Sequence, residues 1–158
     1  MKLRGYYRFK LRSATGDVLD EREVSNLVVN TGLAQTAALI GGLSTGSFGY
    51  IALGQGTPSP ASSDTTLQSE ITTTSGGGSR TAATISRVTT DVTNDTVKFF
   101  KTFTFTSGST GGYAITEAGI FNSSGSSGVM LSRATFTAIN VVSSNTLDLD
   151  YRIDCDST

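Results

Sequence analysis

The sequence contains no histidine, no tryptophan and a single cysteine among its 158 residues. Without histidine the chain lacks the commonest general base and metal ligand, so Ser-His-Asp and Cys-His catalytic arrangements are excluded. One cysteine, Cys155, cannot form an intrachain disulfide. Because Cys155 falls in the apolar phase of the last predicted strand, we expect a packed thiol rather than a reactive one.

Long hydrophobic runs and excess charge are also missing. No stretch approaches membrane-spanning length, and residues 1–10 lack the apolar segment of a secretory signal. The formal net charge is −1, which gives no overall argument for binding nucleic acid or an anionic membrane. We expect a protein made in a cytoplasm, with no membrane partner, no cofactor and no small-molecule substrate.

The sequence is instead rich in glycine, serine and threonine. The chain has 18 glycines, 37% hydrophobic residues and 16% charged residues, a balance typical of short strands joined by polar turns. Residues 147–155 alternate most regularly, and roughly eight such strands follow one another at short spacing. The sequence predicts a mainly β fold, a single-domain antiparallel β-sandwich or jelly-roll-like structure. Its predicted parts are an N-terminal hairpin (1–25), a helix and central strand (26–56), a loop (57–80) and sandwich strands (81–158).

One stretch of the chain has helical spacing. Alanines and leucines between residues 32 and 41 predict a short α-helix, with Asn30 or Thr31 as its cap and the glycines at 41 and 42 as its end. We expect this helix to close one face of the sandwich, with residues 50–53 as a central strand beneath it. If Leu33, Ala37 and Ile40 were exposed, they would form an interface to a neighbouring protein. Residues 64–68 predict a second, single helical turn.

Opposite charges collect at the two ends of the chain. The cations of the first predicted strand are Lys2, Arg4, Arg8, Lys10 and Arg12, and the acids of the last are Asp148, Asp150, Asp154 and Asp156. One interpretation pairs the two strands with opposite charges across the pairing. The alternatives are a basic arm that docks onto a partner or onto phosphate, and an acidic face that binds Ca²⁺. Because side chains two apart in a strand are about 6–7 Å apart, we favour pairing over a compact calcium site.

Glu117 is the one acid inside an otherwise apolar predicted strand. A buried carboxylate needs backbone or arginine partners, and no second acid–base group accompanies it in the sequence. We therefore predict a structural glutamate rather than a catalytic one.

Three segments follow one another along the sequence: NLVVNTGLAQTAALI from residue 26, YIALGQGTPSPASSDTTLQSEI from residue 50, and ITEAGIFNSSGSSGVMLSRATF from residue 115. This order resembles the N-terminal domain of phage tail-collar fibre proteins and related stand-alone virion proteins of tailed phages. The resemblance covers the chain from about residue 26 onward. The positions that match its motifs are Asn30, Gly32, Leu67, Glu70, Glu117, Gly119 and Phe121.

The resemblance implies a non-enzymatic structural component of a tailed bacteriophage virion, of the tail-fibre, collar or baseplate accessory type. Such fibres continue into a long shaft, whereas this chain ends at residue 158 and adds an N-terminal hairpin, so we expect a small accessory protein. Its partners would be other virion proteins of the tail or capsid and, by analogy, further copies of itself.

Three other functions stay open. The first is capsid decoration on the phage head. The second is a carbohydrate or receptor binder that uses the tyrosines at positions 6, 7, 50, 113 and 151 as stacking platforms. The third, an enzyme such as a depolymerase, is least favoured because no histidine and no recognisable acid pair is present.

Overall fold

The computed structural model describes residues 2–74, 76–106 and 112–156, and within them the chain forms two antiparallel sheets and one helix. In chain order the elements are β1 (Lys2–Arg12), β2 (Val18–Ser25), β3 (Leu27–Val28), α1 (Asn30–Ile40), β4 (Tyr50–Gly54), β5 (Thr81–Ala82), β6 (Thr84–Val88), β7 (Thr96–Thr104), β8 (Tyr113–Phe121), β9 (Met130–Val141) and β10 (Thr146–Asp156). The predicted fold class, a mainly β sandwich with one short helix, is confirmed.

The two sheets contain five strands each. Sheet A has the order β2-β1-β10-β7-β6, and sheet B has the order β3-β9-β8-β4-β5. The structure has ten strands rather than the roughly eight predicted, because the two-residue β3 precedes the helix and the predicted strand that begins at residue 81 divides. Its first part, β5, pairs with β4 in sheet B, and its second part, β6, pairs with β7 in sheet A.

The core lies between the sheets and follows the alternation of the first and last strands. Tyr7, Phe9 and Leu11 of β1 stand opposite the apolar residues of β10 and are almost completely buried. The rings of Tyr7 and Tyr151 lie 4.5 Å apart. The Tyr7 hydroxyl shares a 3.0 Å hydrogen bond with Ser132 of the opposite sheet, which satisfies a polar atom inside the core.

The charged strands at the two ends pair along their whole length. Each cation of β1 stands opposite an acid or a polar residue of β10, as in the pairs Arg4–Asp154, Arg8–Asp150 and Lys10–Asp148. On its other side β1 pairs with β2, where Glu23 contacts Arg8 at 2.7 Å and Glu21 contacts Lys10 at 3.0 Å. The pairing interpretation of the two charge clusters is therefore confirmed.

The helix forms where it was predicted, but three details differ. Its cap residue is Val29, with no side-chain hydrogen bond at the cap, so neither Asn30 nor Thr31 caps it. It packs on β9 rather than on residues 50–53, as the backbone bond from Val29 N–H to the Leu131 carbonyl (3.0 Å) shows. The strand at 50–53 is also not central, because β4 has only the two-residue β5 beyond it.

Two smaller predictions are wrong. Residues 64–68 make bends and no helical turn. Cys155 is exposed, because it lies near the end of β10 opposite the half-buried Leu3, where the core has ended. The pKa of the Cys155 thiol is still raised, mainly by partial burial and to a smaller extent by the nearby charges of Asp154 and Asp95.

Candidate functional site

The helix presents an apolar face to solvent. Leu33 is 48% exposed and Ile40 is 69% exposed, and Ala37 between them is also exposed. Residues spaced by four and then three positions lie on one side of an α-helix, so these three side chains form a continuous row. We call this row the apolar stripe. Leu43, just beyond the helix, is 86% exposed and adds apolar surface.

The opposite side of α1 sits directly on sheet B. Gly32 is the one buried residue of the helix, and a Cβ at this position would lie 2.3 Å from the Leu131 carbonyl oxygen. Leu131 has no partner in β8, because the register shifts between Ile120 and Phe121 and leaves it as a β-bulge. Glycine is required here because any larger residue would push the helix away from the bulge.

Hydrogen bonds fix the start and the middle of the helix. At its start, the Thr31 hydroxyl donates to the Met130 carbonyl (3.2 Å), and the Asn30 N–H donates to the Ser62 carbonyl (2.8 Å). From the middle of the helix, the Gln35 amide nitrogen donates to the Gly46 carbonyl (2.7 Å) and so holds the segment that returns to β4. The apolar stripe is therefore carried by a helix whose first turn is fixed to β9 and whose middle is bonded to the segment that follows it.

Beside the helix, a buried charge cluster lies on the outer face of sheet B, the face turned away from sheet A. Glu117 of β8 and Arg133 of β9 are both fully buried. Arg133 Nε donates to Glu117 Oε2 over 2.9 Å, and Arg133 Nη1 donates to Asp64 Oδ2 over 3.0 Å. Arg133 Nη2 lies 2.8 Å from the same Glu117 oxygen but makes no well-directed hydrogen bond there.

The Glu117 carboxylate also binds the backbone of the loop that covers it. Its two oxygens accept N–H groups from Gly56 (3.0 Å), Gln68 (3.0 Å) and Ser69 (2.7 Å). One side chain thus ties both ends of the 55–69 loop to sheet B. Since the carboxylate has no exposed surface and every contact is a partner in the fold, this cluster offers no position for a reacting molecule.

A second arginine fixes the neighbouring loops. Arg80 makes two hydrogen bonds to Glu70, at 2.8 and 2.6 Å, and its guanidinium lies 3.6 Å from the centre of the Phe121 ring. The same side chain donates to the carbonyls of Ser123 (3.2 Å) and Gly125 (2.7 Å) in the turn after β8. Arg80 therefore joins the end of the 55–69 loop to the β8–β9 turn.

The residues that carry the phage-protein resemblance gather at this outer face. Leu67 and Phe121 belong to a small apolar cluster there with Val29, and a Cβ at Gly119 would lie 3.0 Å from Leu67. The others are already placed by the contacts above: Asn30, Gly32, Glu70 and Glu117. Sequence reasoning missed Arg133, Arg80 and Asp64. A signal for Arg133 exists, because it is the one charged residue of β9 and stands on a strand that neighbours the Glu117 strand.

The five predicted interface cations lie on β1, away from this face. Arg8, Lys10 and Arg12 contact acids of β2 or β10, and Lys2 and Arg4 stand beside the acidic end of β10. The acids are engaged in turn: Asp148 accepts from Thr102, and Asp154 accepts from Thr96. Burial by itself would raise the pKa of Asp150, but Arg152 and Lys98 together hold that pKa below its usual value.

The described residues show neither a metal-binding cluster nor a membrane-spanning helix. They contain no group of three or more acidic or cysteine side chains placed to hold a metal ion, although the Asp156 side chain lies outside the description. Within the same residues, no helix has the length and apolar character needed to cross a membrane. No protein-family model matches the chain, and no curated protein or solved structure is significantly similar to it.

Proposed function

We propose that this protein is a non-enzymatic structural component of a tailed-phage virion, of the tail-fibre, collar or baseplate type, which acts through protein–protein contacts. The observation that supports the proposal is the apolar stripe on α1. A row of aliphatic side chains held in solvent by an anchored helix is the kind of surface that a neighbouring subunit covers.

The rest of the molecule agrees with a static role. The charged groups of sheet B are buried and hold loops, and the cations of β1 stand opposite acids or a polar residue of β10. Two of the tyrosines considered as sugar platforms, Tyr7 and Tyr151, are fully buried in the core and are closed to stacking. These features favour interfaces over catalysis or glycan binding.

The experiment is an incorporation assay with substitutions on the stripe. We expect the double variant Ala37→Asp and Ile40→Asp to fold normally but to be depleted from purified particles, as measured by quantitative immunoblot. Val92→Asp is the matched control, because Val92 is as exposed as Ile40, at 69%, and lies on a distant turn. Equal incorporation of the stripe variant and the control would contradict the proposal.

Deletion of the first strand would be a poor test of the same idea. β1 lies between β2 and β10 and supplies core residues, so its removal would unfold the protein. Immunogold labelling then separates the two virion locations. Label on the tail supports the fibre or collar assignment, and label on the head supports the alternative, a capsid decoration protein that uses the same stripe.

A further inference from the structure

One edge of the first strand is open at its beginning. β1 pairs with β10 from Lys2 onward, but its pairing with β2 extends only as far as Tyr6. Beyond that point the chain leaves sheet A, because residues 27 and 28 already pair with β9 in sheet B. Asn26 still bonds to Gly5, but no described strand occupies the position beside residues 2–4, where β2 would continue if it were longer.

The open edge presents backbone groups in the right direction. The Gly5 carbonyl accepts the Asn26 N–H over 3.4 Å, so the peptide groups of Gly5 point toward the β2 side. In an antiparallel sheet, residues two apart point their N–H and C=O groups the same way. The N–H and C=O of Leu3 are consequently directed at the open edge, where a further strand can pair with them.

A groove runs along this edge. It has a volume of about 590 Å³ and lies between residues 2–5 of β1, the β2–β3 connection and Leu33 of the helix. Its apolar wall includes Leu27, which is 36% exposed, and Leu33, which is 48% exposed. Its charged residues are Lys2 and Arg4, and none of the described residues that line it is acidic.

The strands that already pair with β1 show which sequence fits beside it. Along β10, the acids Asp154 and Asp156 stand opposite Arg4 and Lys2, with Cys155 between them opposite Leu3. Along β2, Glu21 and Glu23 stand opposite Lys10 and Arg8. Both neighbours thus place acids opposite the cations of β1. A strand at the open edge is expected to follow the same rule.

We propose that this groove binds a short extended segment of a partner protein, with an acidic–apolar–acidic pattern, as an added strand of sheet A. The acids would face Lys2 and Arg4, and the apolar residue between them would point into the groove toward Leu27 and Leu33. The open edge beside residues 2–4 accommodates about three residues of extended chain. A second copy of this chain is a poorer occupant, because pairing two β1 strands would place their lysine and arginine side chains opposite one another.

This inference takes its biological setting from the proposed function, but its test does not depend on virions. Isotope-labelled protein would be titrated with a synthetic peptide that alternates glutamate and valine, and amide signals would be followed by NMR. We expect saturable shifts at Leu3, Leu27, Val28 and Leu33. A peptide that alternates lysine and valine, the charge control, should produce none of these shifts.

Two variants make the test specific. Lys2→Gln with Arg4→Gln should weaken binding by about threefold to tenfold, because it removes two opposite-charge pairs across strands. Lys10→Gln with Arg12→Gln removes the same charge at the end of β1 where both edges are paired, and should leave binding unchanged. Leu33→Gln changes an exposed side chain and should also weaken binding.

Several results would overturn the inference. They are an absence of shifts at millimolar peptide, shifts that map to another surface, equal shifts with the lysine peptide, and equal weakening by the control variant. Shifts at Leu3 that depend on protein concentration without peptide would show that a second copy fills the groove instead. None of these outcomes bears on particle incorporation through the apolar stripe at Ala37 and Ile40, so the two proposals can fail separately.

Discussion

Arg133 of β9 donates a 2.9 Å hydrogen bond to Glu117 of β8 on the outer face of sheet B, and both side chains are fully buried. The pair is held in place by the loop it organises, because Glu117 accepts three loop N–H groups in addition to the arginine. Together the two side chains make four hydrogen bonds to the segment that covers the sheet.

Replacement of Glu117 by Gln should strongly destabilise the protein. Removal of one charge leaves Arg133 buried with only Asp64 as an ionic partner, and loss of one member of a buried pair costs about 3–5 kcal/mol. The free energy of unfolding from urea titration measures the effect. Glu23→Gln is the control: its partner Arg8 is about half exposed, and a surface pair contributes about 0–1 kcal/mol. Equal losses for the two variants would contradict the assignment.

Gly32→Ala should lower stability although it raises helix propensity. Alanine is preferred over glycine in a helix by about 1 kcal/mol, but the added Cβ would meet the Leu131 carbonyl. We expect a net loss of about 1–3 kcal/mol, typical of overpacking. Ala34→Gly, at an exposed helix position, should cost only the propensity term of about 1 kcal/mol. A stabilised Gly32→Ala variant would show that the helix can move off the bulge.

Arg80→Lys should loosen the turn after β8 while keeping the charge. Lysine cannot reproduce the two-pronged contact with Glu70 together with the bonds to the Ser123 and Gly125 carbonyls. We expect a loss of about 1–3 kcal/mol and faster amide hydrogen exchange in residues 122–128. Arg87→Lys, at an exposed position on β6, serves as the control and should leave exchange in this turn unchanged. Unchanged exchange in Arg80→Lys would rule out this anchoring role.

The protein should lose stability at alkaline pH through its core tyrosines. Burial raises the pKa of Tyr7 and of Tyr151 well above the usual value, with the Tyr7 shift also increased by Tyr151. Because the folded state holds the phenolic protons more tightly, stability is full below the unfolded tyrosine pKa of about 10 and falls as pH rises above it. The Tyr7→Phe variant should lose less stability over the same rise in pH, as measured by chemical denaturation. Complete ionisation of the tyrosines near pH 10 in the folded protein would contradict this prediction.

The parts of the fold that were predictable are those with regular alternation. Tyr7, Phe9 and Leu11 and the apolar residues of β10 alternate with charges, so their strands and their inward faces follow from spacing alone. The position of residues 50–53 in the sheet was harder to predict, because a short apolar run is compatible with a central strand and with a strand near the edge. Here the outer face of β4 is buried by the covering apolar cluster rather than by a further sheet layer.

The charge cluster depends on contacts that spacing does not encode. The register of β8 and β9 shifts between Ile115 and Glu117, and Glu117 consequently faces the loop while Ile115 belongs to the main core. Strict alternation would have placed these two residues on the same face. Residues 64–68 are not helical for a related reason: the Gln68 N–H, which a helix would use internally, binds the Glu117 carboxylate instead.

The pairing of β1 with β10 has a consequence for how the molecule is made. These strands lie at opposite ends of the sequence, and β10 separates β1 from β7, so sheet A cannot close until β10 has left the ribosome. Contacts between residues so distant in sequence form late and slow the folding reaction. During synthesis, the β1 edge that pairs with β10 stays open until that strand has been made. The acids and cations along β1 and β2 therefore also help to keep the incomplete sheet A from pairing with the wrong chain.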